Sequence, residues 1–412
     1  MFLLEGGRNT PAAQTSRASS AWNPSSQERS MKPPFKKTTF GAATESLEAG
    51  LPGSSKVAFV IAPFQQKIKK SGPFKLSKVT DQYPYFSDLL NRIVQHSIQE
   101  LPDFSDDSKI AVMSDFGGEH SSARFYTYSF LFLAYNKVGP FEEKVRELRK
   151  KYDLLEHYSE FAYKKLASGA KALALPEYLL LIDSFIHGAI ITIAIDKRIE
   201  TVFGAQKKQA HPIMVKQLQE EGLGEWSGPG AEKVLRVANI IAAFASLLTH
   251  ENQRLLWYSD KDLINEDGKK WNFSHTQQIL ARVLGMYLSH RLDVVGFAKS
   301  FDEKGHLDDL LSVPDLAAGV VQDLLQQNET REDIPGGDEK AAVMRWIATP
   351  ARYLSKLTVQ ITRTADGGIG FGSVDMVLTP ESVAASALRR SHCPRPEPQL
   401  AARPPSGADL TG

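Results

Sequence analysis

One cysteine, Cys393, occurs in 412 residues. No intrachain disulfide can form, and neither a cysteine zinc site nor an iron–sulfur cluster has its ligands. That composition fits a reducing, cytoplasmic setting. The chain also lacks any run of about 18 uncharged apolar residues, the length of a membrane span. Its longest apolar stretches, around 189–195 and 237–248, have the length of buried strands and helices. A secretory signal is not expected, because Glu5 and Arg8 interrupt the opening M-F-L-L at once. The reading is a soluble protein with no membrane partner. An excess of one charge is missing too: 49 Lys and Arg stand against 48 Asp and Glu, a formal net charge of +1. A strongly basic chain attracts nucleic acid through its phosphates without specific placement. Here such binding must come from local patches, or from metal ions held by carboxylates. There is no H-E-x-x-H. Gly367-Gly368 lacks the following Lys of a phosphate loop and reads as a turn between K-L-T-V-Q-I-T-R and S-V-D-M-V-L.

The two ends are poor in periodic apolar residues. Residues 1–55 are rich in Ser, Ala, Pro and Gly, and residues 386–412 in Pro and Arg. Neither can bury enough apolar surface to offset its ordering entropy, so both are expected to be disordered. Between them the reading divides the chain into an N-terminal extension packing on the core (56–108), a central domain (109–330) and a helix and β-hairpin extension (331–385). Strands are expected at 56–63, 109–114, 124–134, 189–196, 254–259 and 292–298, where apolar and β-branched residues run together. Helical spacing predicts helices at 82–101, 141–166, 174–187, 231–248, 276–288 and 314–327. Strands interleaved with helices indicate an α/β fold with a mixed sheet flanked by helices.

Three expected strands finish on an acid: V-M-S-Asp115, I-A-I-Asp196 and L-W-Y-S-Asp260. The carboxyl end of a buried strand is where α/β sheets place ligands. Several carboxylates gathered there repel one another and resist desolvation unless a cation offsets them. Oxygen ligands of this type suit Mg²⁺ or Mn²⁺, which take substrate phosphates as further ligands. Each acid also has a plain reading. A single Asp after a strand is commonly a turn or cap residue. Glu160 stands four before Lys164, as in a surface helical pair, and Asp315 suits the first turn of a helix after Pro314. Asp308 and Asp309 read as solvated. His120 is either a surface-loop histidine or a proton shuttle five residues from Asp115. His157 and Glu160 lie one helical turn apart, by chance or as a metal face. Lys164, Lys197 and Arg198 each follow an acid closely and are candidate contacts for substrate phosphates. Trp257, Tyr258 and Trp271 suit core packing better than base stacking.

The order of these pieces resembles a family of microbial ribonuclease H-like proteins of unknown function. Its first strand opens on a D-E-S-G-type motif and its last helix carries A-D-h-h-A-G, where h is apolar. The matching stretches are V-M-S-D-F-G-G-E-H (112–120), Y-S-E-F-A-Y-K-K-L (158–166), I-A-I-D-K-R (193–198), L-L-W-Y-S-D-K-D (255–262) and V-P-D-L-A-A-G-V-V (313–321). Phe116-Gly117 replace the usual Glu-Ser, the next acid being Glu119, and Pro314 replaces the usual Ala. The resemblance covers residues 109–327. It implies a ribonuclease H-like sheet and a metal-holding, catalytic centre of Asp115, Glu160, Asp260 and Asp315, with Asp262 as the alternative third acid. The implied activity is Mg²⁺- or Mn²⁺-dependent phosphodiester hydrolysis of nucleic acid, DNA or RNA. A catalytically weak or inactive nucleic-acid- or protein-binding module is the second reading, favoured by the altered D-F-G-G opening. A component of a mobile-element or defence system acting through a protein partner is the third.

Overall fold

The computed structural model describes residues 68–79, 85–155, 160–167, 169–300, 305–331, 334 and 336–376. The strand expected at 56–63, the two tails and His157 lie outside these residues. The first elements are β1 (Lys69–Ser71), α1 (Tyr85–His96) and β2 (Glu100–Pro102). In α1, Phe86, Leu89, Leu90, Ile93 and Val94 fall on one buried face, as helical spacing requires. The helix does not continue to residue 101. The residue before a proline is pushed out of the helical region, and Leu101–Pro102 instead belong to a short strand antiparallel to β1.

One seven-stranded mixed sheet forms the body of the fold. It comprises β3 (Lys109–Gly117), β4 (Phe125–Ala134), β5 (Gly188–Asp196), β6 (Arg254–Ser259), β7 (Val294–Lys299), β8 (Leu354–Arg363) and β9 (Ile369–Ser373). Their order is β7-β6-β3-β4-β5-β8-β9. β3, β4 and β5 make an antiparallel meander. β6 runs parallel to β3 and β7 parallel to β6, while β8 runs parallel to β5 and is paired in turn with antiparallel β9. The helices are α2 (Gly139–Lys151), α3 (Gly169–Phe185), α4 (Lys207–Glu220), α5 (Gly228–Leu248), α6 (Phe273–Tyr287), α7 (His306–Thr330) and α8 (Asp338–Ala348). With α1, helices α4, α5 and α6 bury one face of the sheet; α2, α3, α7 and α8 bury the other. β5 is buried at every residue, which explains its unbroken apolar run. No described helix is long and apolar enough to cross a membrane.

Three expectations need correction. The helix expected over 141–166 ends at Lys151, where Asp153 takes a left-handed φ of 55°. Glu160 therefore lies in a loop before a 3-10 turn (Tyr163–Lys165), not four residues from Lys164 on a helix face. α7 begins at His306, eight residues earlier than expected, because Asp308 accepts the Gly305 N–H at 2.7 Å and caps its start. Pro314 is thus interior, and Asp315 is not a first-turn acid. Asp308 and Asp309 are buried rather than solvated: Asp308 also accepts from Ser300 Oγ at 2.8 Å, and Asp309 faces the Arg149 guanidinium. The helix and β-hairpin expected at 331–385 are α8 and the β8–β9 pair, and both strands belong to the main sheet. The pairing of β5 with β8 runs from Gly188–Leu354 to Ile195–Ile361. Gly367, at φ 85°, turns that hairpin, and its second strand starts at Ile369, before S-V-D-M-V-L.

Candidate active site

Strand periodicity decides which way the acids face. In β3, Ile110 and Val112 pack into the layer of α1, α4, α5 and α6, and Ala111 and Met113 into the layer of α7. Alternation then turns Asp115 toward α7. β3 continues two residues past Asp115, to Gly117. On β6, Leu256 and Tyr258 pack into the same α7 layer, and Asp260 keeps that parity one residue beyond the strand. Its N–H donates to Ser114 O at 3.4 Å, extending the β3–β6 pairing. α7 presents Asp315 between Leu311, Ser312, Ala318, Gly319 and Gln322, the i+3/i+4 stripe facing the sheet. Glu160 arrives on the loop before the 3-10 turn. That turn is fastened to α7 by three bonds: Phe161 N–H to Ser312 Oγ (3.2 Å), Tyr163 N–H to Asp315 Oδ2 (2.8 Å) and Tyr163 O–H to Asp323 Oδ2 (2.8 Å). Asp115, Glu160, Asp260 and Asp315 all line one cavity of about 530 Å³.

The D-F-G-G opening has a local physical cause. A side chain at position 117 would place its Cβ 2.6 Å from Thr127 Oγ1 and 3.2 Å from Gln322 Oε1. Gly118 has φ 81°, and a Cβ there would stand 1.9 Å from Phe125 O. The backbone passes too close to β4 for any other residue. Phe116 turns to the opposite face, against Tyr128 and Phe130 at centroid separations of 5.7 and 6.0 Å.

The carboxylates feel one another. Burial pushes Asp115 well above the usual carboxylate range, and Asp315, Asp260 and Asp262 push it further against the pull of the Phe116 N–H. Asp115 is half-buried in the cavity wall. Burial raises Asp315 to about 6; Glu160 and Asp260 add to the rise, and the Tyr163 N–H and Lys164 oppose it. Such a set suits a hard divalent cation in donor type and charge. Among the described residues, however, no three His, Cys, Asp or Glu side chains already stand together as ligands around one point. The donor chemistry fits Mg²⁺ or Mn²⁺, and the donors are set apart as they stand.

The remaining candidates separate cleanly. Lys164 lines the cavity. Lys197 and Arg198 do not: Lys197 donates to His120 O at 2.6 Å, and Arg198 is tied to Asp196 by bonds of 2.6–3.0 Å. Asp196 is thereby an ion-pair partner outside the acid cluster. Asp262 lines the cavity rim, but it caps Ile264 N–H at 3.1 Å and accepts from Lys233 at 2.5 Å. Those bonds turn it toward α5 and leave Asp260 as the acid facing α7. His120 lines the cavity with both ring nitrogens engaged: the Gln322 amide donates to Nε2 at 3.0 Å, which places the ring proton on Nδ1, toward Ser122 Oγ at 2.9 Å. Trp257 and Tyr258 are core residues, and Trp271 stacks on Trp226 at 5.1 Å. Sequence reasoning missed Tyr163, Asp323 and Lys340. Lys340 donates to Asp323 at 2.8 Å and lies 4.8 Å over the Tyr163 ring. The i, i+4, i+8 spacing of Asp315, Gly319 and Asp323 was the available signal.

No protein-family model matches this chain, and no curated protein is significantly similar to it.

Proposed function

We propose that the chain is a ribonuclease H-like, metal-dependent nuclease that hydrolyses a phosphodiester of nucleic acid at the four-carboxylate cavity. The observation that carries this reading is the convergence of Asp115, Glu160, Asp260 and Asp315, from two strands, a loop and a helix, on one cavity. The raised pKa values of Asp115 and Asp315 agree with it, because perturbed carboxylates cluster in functional clefts. A mixed seven-stranded sheet with helices on both faces is compatible with the fold part of the reading.

Asp115 and Asp260 would hold the metal, with Glu160 and Asp315 completing its surroundings. A divalent ion bound there supplies a lowered pKa for water and countercharge for the leaving oxygen. The chain's own residues do the rest. Lys164 in the cavity wall would offer a cation to the substrate phosphate, and Lys340, in the same wall, is held by Asp323. Burial raises Asp315 to about 6 without a cation, and a divalent ion bound beside it would displace that proton.

The second reading, a binding module without efficient chemistry, is favoured by one observation: the acids do not form a preassembled ligand cluster among the described residues. One experiment separates the two. Thermal melts of the parent and Asp115→Asn are run with and without Mg²⁺ or Mn²⁺, beside a cleavage assay on mixed DNA and RNA. The nuclease reading expects metal to stabilise the parent more than the variant, and cleavage to be lost in the variant. Equal metal stabilisation in both, with no cleavage by either, would move the conclusion to the binding module.

A further inference from the structure

A second cavity, of about 380 Å³, adjoins the first, and Glu119 lies in the wall of both. It is bounded by the end of β5, the start of α4 and the first turns of α5. Four cationic side chains line it: Lys197, Lys207, Lys233 and Arg236. Three acids line it as well, each already engaged. Glu232 accepts from Arg236, and from His211 Nε2 at 2.6 Å; Glu119 accepts from Lys233; Glu200 accepts the backbone N–H of Lys207 at 3.2 Å. Among the described residues, the ammonium groups of Lys197 and Lys207 have no carboxylate within ion-pair distance.

Lys197 is also held in place. Its ammonium donates to His120 O at 2.6 Å and sits 4.9 Å over the Tyr126 ring, so little rotamer entropy remains to be lost on meeting a ligand. Partial burial pulls its pKa down, a cost that a bound anion would remove. The buried Arg236, whose guanidinium lies 5.5 Å from the same Tyr126 ring, carries an Nε with no hydrogen-bond partner among the described residues. The positive end of α5, at Ser227–Gly230, faces the same space. Cations outnumber acids here, whereas acids dominate the neighbouring cavity. The two cavities therefore differ in sign and share one wall.

We propose that the second cavity binds a phosphate of a polynucleotide strand whose neighbouring phosphate lies over the four acids. The substrate is then a polynucleotide, and a mononucleotide or simple phosphate monoester would fill only half the site. This rests on the nuclease reading, and the test keeps the two apart.

The full-length Asp115→Asn protein, which should bind without cutting, is titrated against a fluorescent single-stranded oligonucleotide over a range of salt. Lys197→Gln and Lys207→Gln are each added to it. Lys207 is exposed at the start of α4, so its replacement leaves the fold intact even if Lys197→Gln loosens the loop at His120. Each substitution should raise Kd several-fold and lower the log–log salt slope by about 0.7, the value of one phosphate contact to a single strand. Unchanged Kd and slope in both variants, with metal-dependent cleavage intact in the parent, would overturn this proposal alone. Absence of oligonucleotide binding and of cleavage in every protein would overturn it together with the nuclease reading.

Discussion

The ring of Tyr163 occupies the space that any side chain at Gly319 would need: a Cβ at 319 would lie 2.2 Å from Tyr163 Cδ1 and 2.4 Å from its Cγ. The same tyrosine donates its N–H to Asp315 and its O–H to Asp323, four residues before and after that glycine. One aromatic residue is therefore gripped at three points along one face of α7.

Replacing Gly319 by Ala tests that grip. In an exposed helix interior the change stabilises by up to about 1 kcal/mol. Here the added methyl must displace the ring, and overpacking of this kind costs about 1–3 kcal/mol. Denaturant unfolding should show a loss, together with weaker metal-induced stabilisation as the Glu160 loop shifts. A gain in stability would show that Tyr163 moves freely.

The raised pKa of Asp315 sets a pH dependence. Its carboxyl titrates near 3.8 in the unfolded chain and at about 6 in the folded protein. Between those values the folded protein keeps a proton that the unfolded chain has released. The contribution is thus fully present below about pH 4 and lost as pH rises through 6. Asp115, shifted the same way, adds to the trend. Asp315→Asn keeps an acceptor for the Tyr163 N–H but removes the titration. Melts from pH 4.5 to 7.5 should show the parent losing stability relative to the variant, on the order of 2 kcal/mol. Mg²⁺ or Mn²⁺ should shrink the difference at pH 7.5. A constant difference across the range would refute the shift.

A buried ion pair ties α2 to α7. Arg149 Nε and Nη2 reach Asp309 at 3.1 and 2.5 Å, and their side chains are 1% and 5% exposed. Arg149→Met should cost about 3–5 kcal/mol, because it strands a buried carboxylate. Adding Asp309→Leu should recover much of that loss. Chemical denaturation of both single variants and the double variant decides it; a double variant as unstable as the sum of the two single changes would argue against coupling.

Truncation after residue 330 should not give a folded core. β5 is buried on both faces and paired with β8 along its length, so removal of β8 opens a long apolar edge. Such a fragment should be insoluble or lack a cooperative melt. A soluble, cooperatively melting fragment would show that the core folds without β8 and β9.

The strands were readable because their patterns were unambiguous: apolar runs in β3 and β5, and an acid directly after β6. The local structure around Glu160 and Asp315 was not. Apolar residues on either side of Tyr152–Leu155 keep helical spacing across the break, and a proline at 314 imitates a helix start that lies at Gly305. Both acids nonetheless line the cavity with Asp115 and Asp260. Lys340 and Asp323 escaped because their meeting depends on Tyr163, 160 residues from Asp323 in sequence. The burial of Asp308 and Asp309 escaped for a related reason: the partner of Asp309 is Arg149 on a different helix, and nothing local distinguishes a paired acid from a solvated one.

The four acids are mounted on two different carriers. Asp115 and Asp260 belong to adjacent hydrogen-bonded strands, whose spacing of about 4.8 Å is set by the sheet itself. Glu160 and Asp315 ride together, since the turn after Glu160 is fastened to α7 at Ser312, Asp315 and Asp323. The arrangement is that of a vice with one fixed and one sliding jaw. A small displacement of α7 over the sheet would change the gap between the two pairs while leaving the spacing within each pair unaltered, and the size of ion the site accepts would be set by how α7 packs.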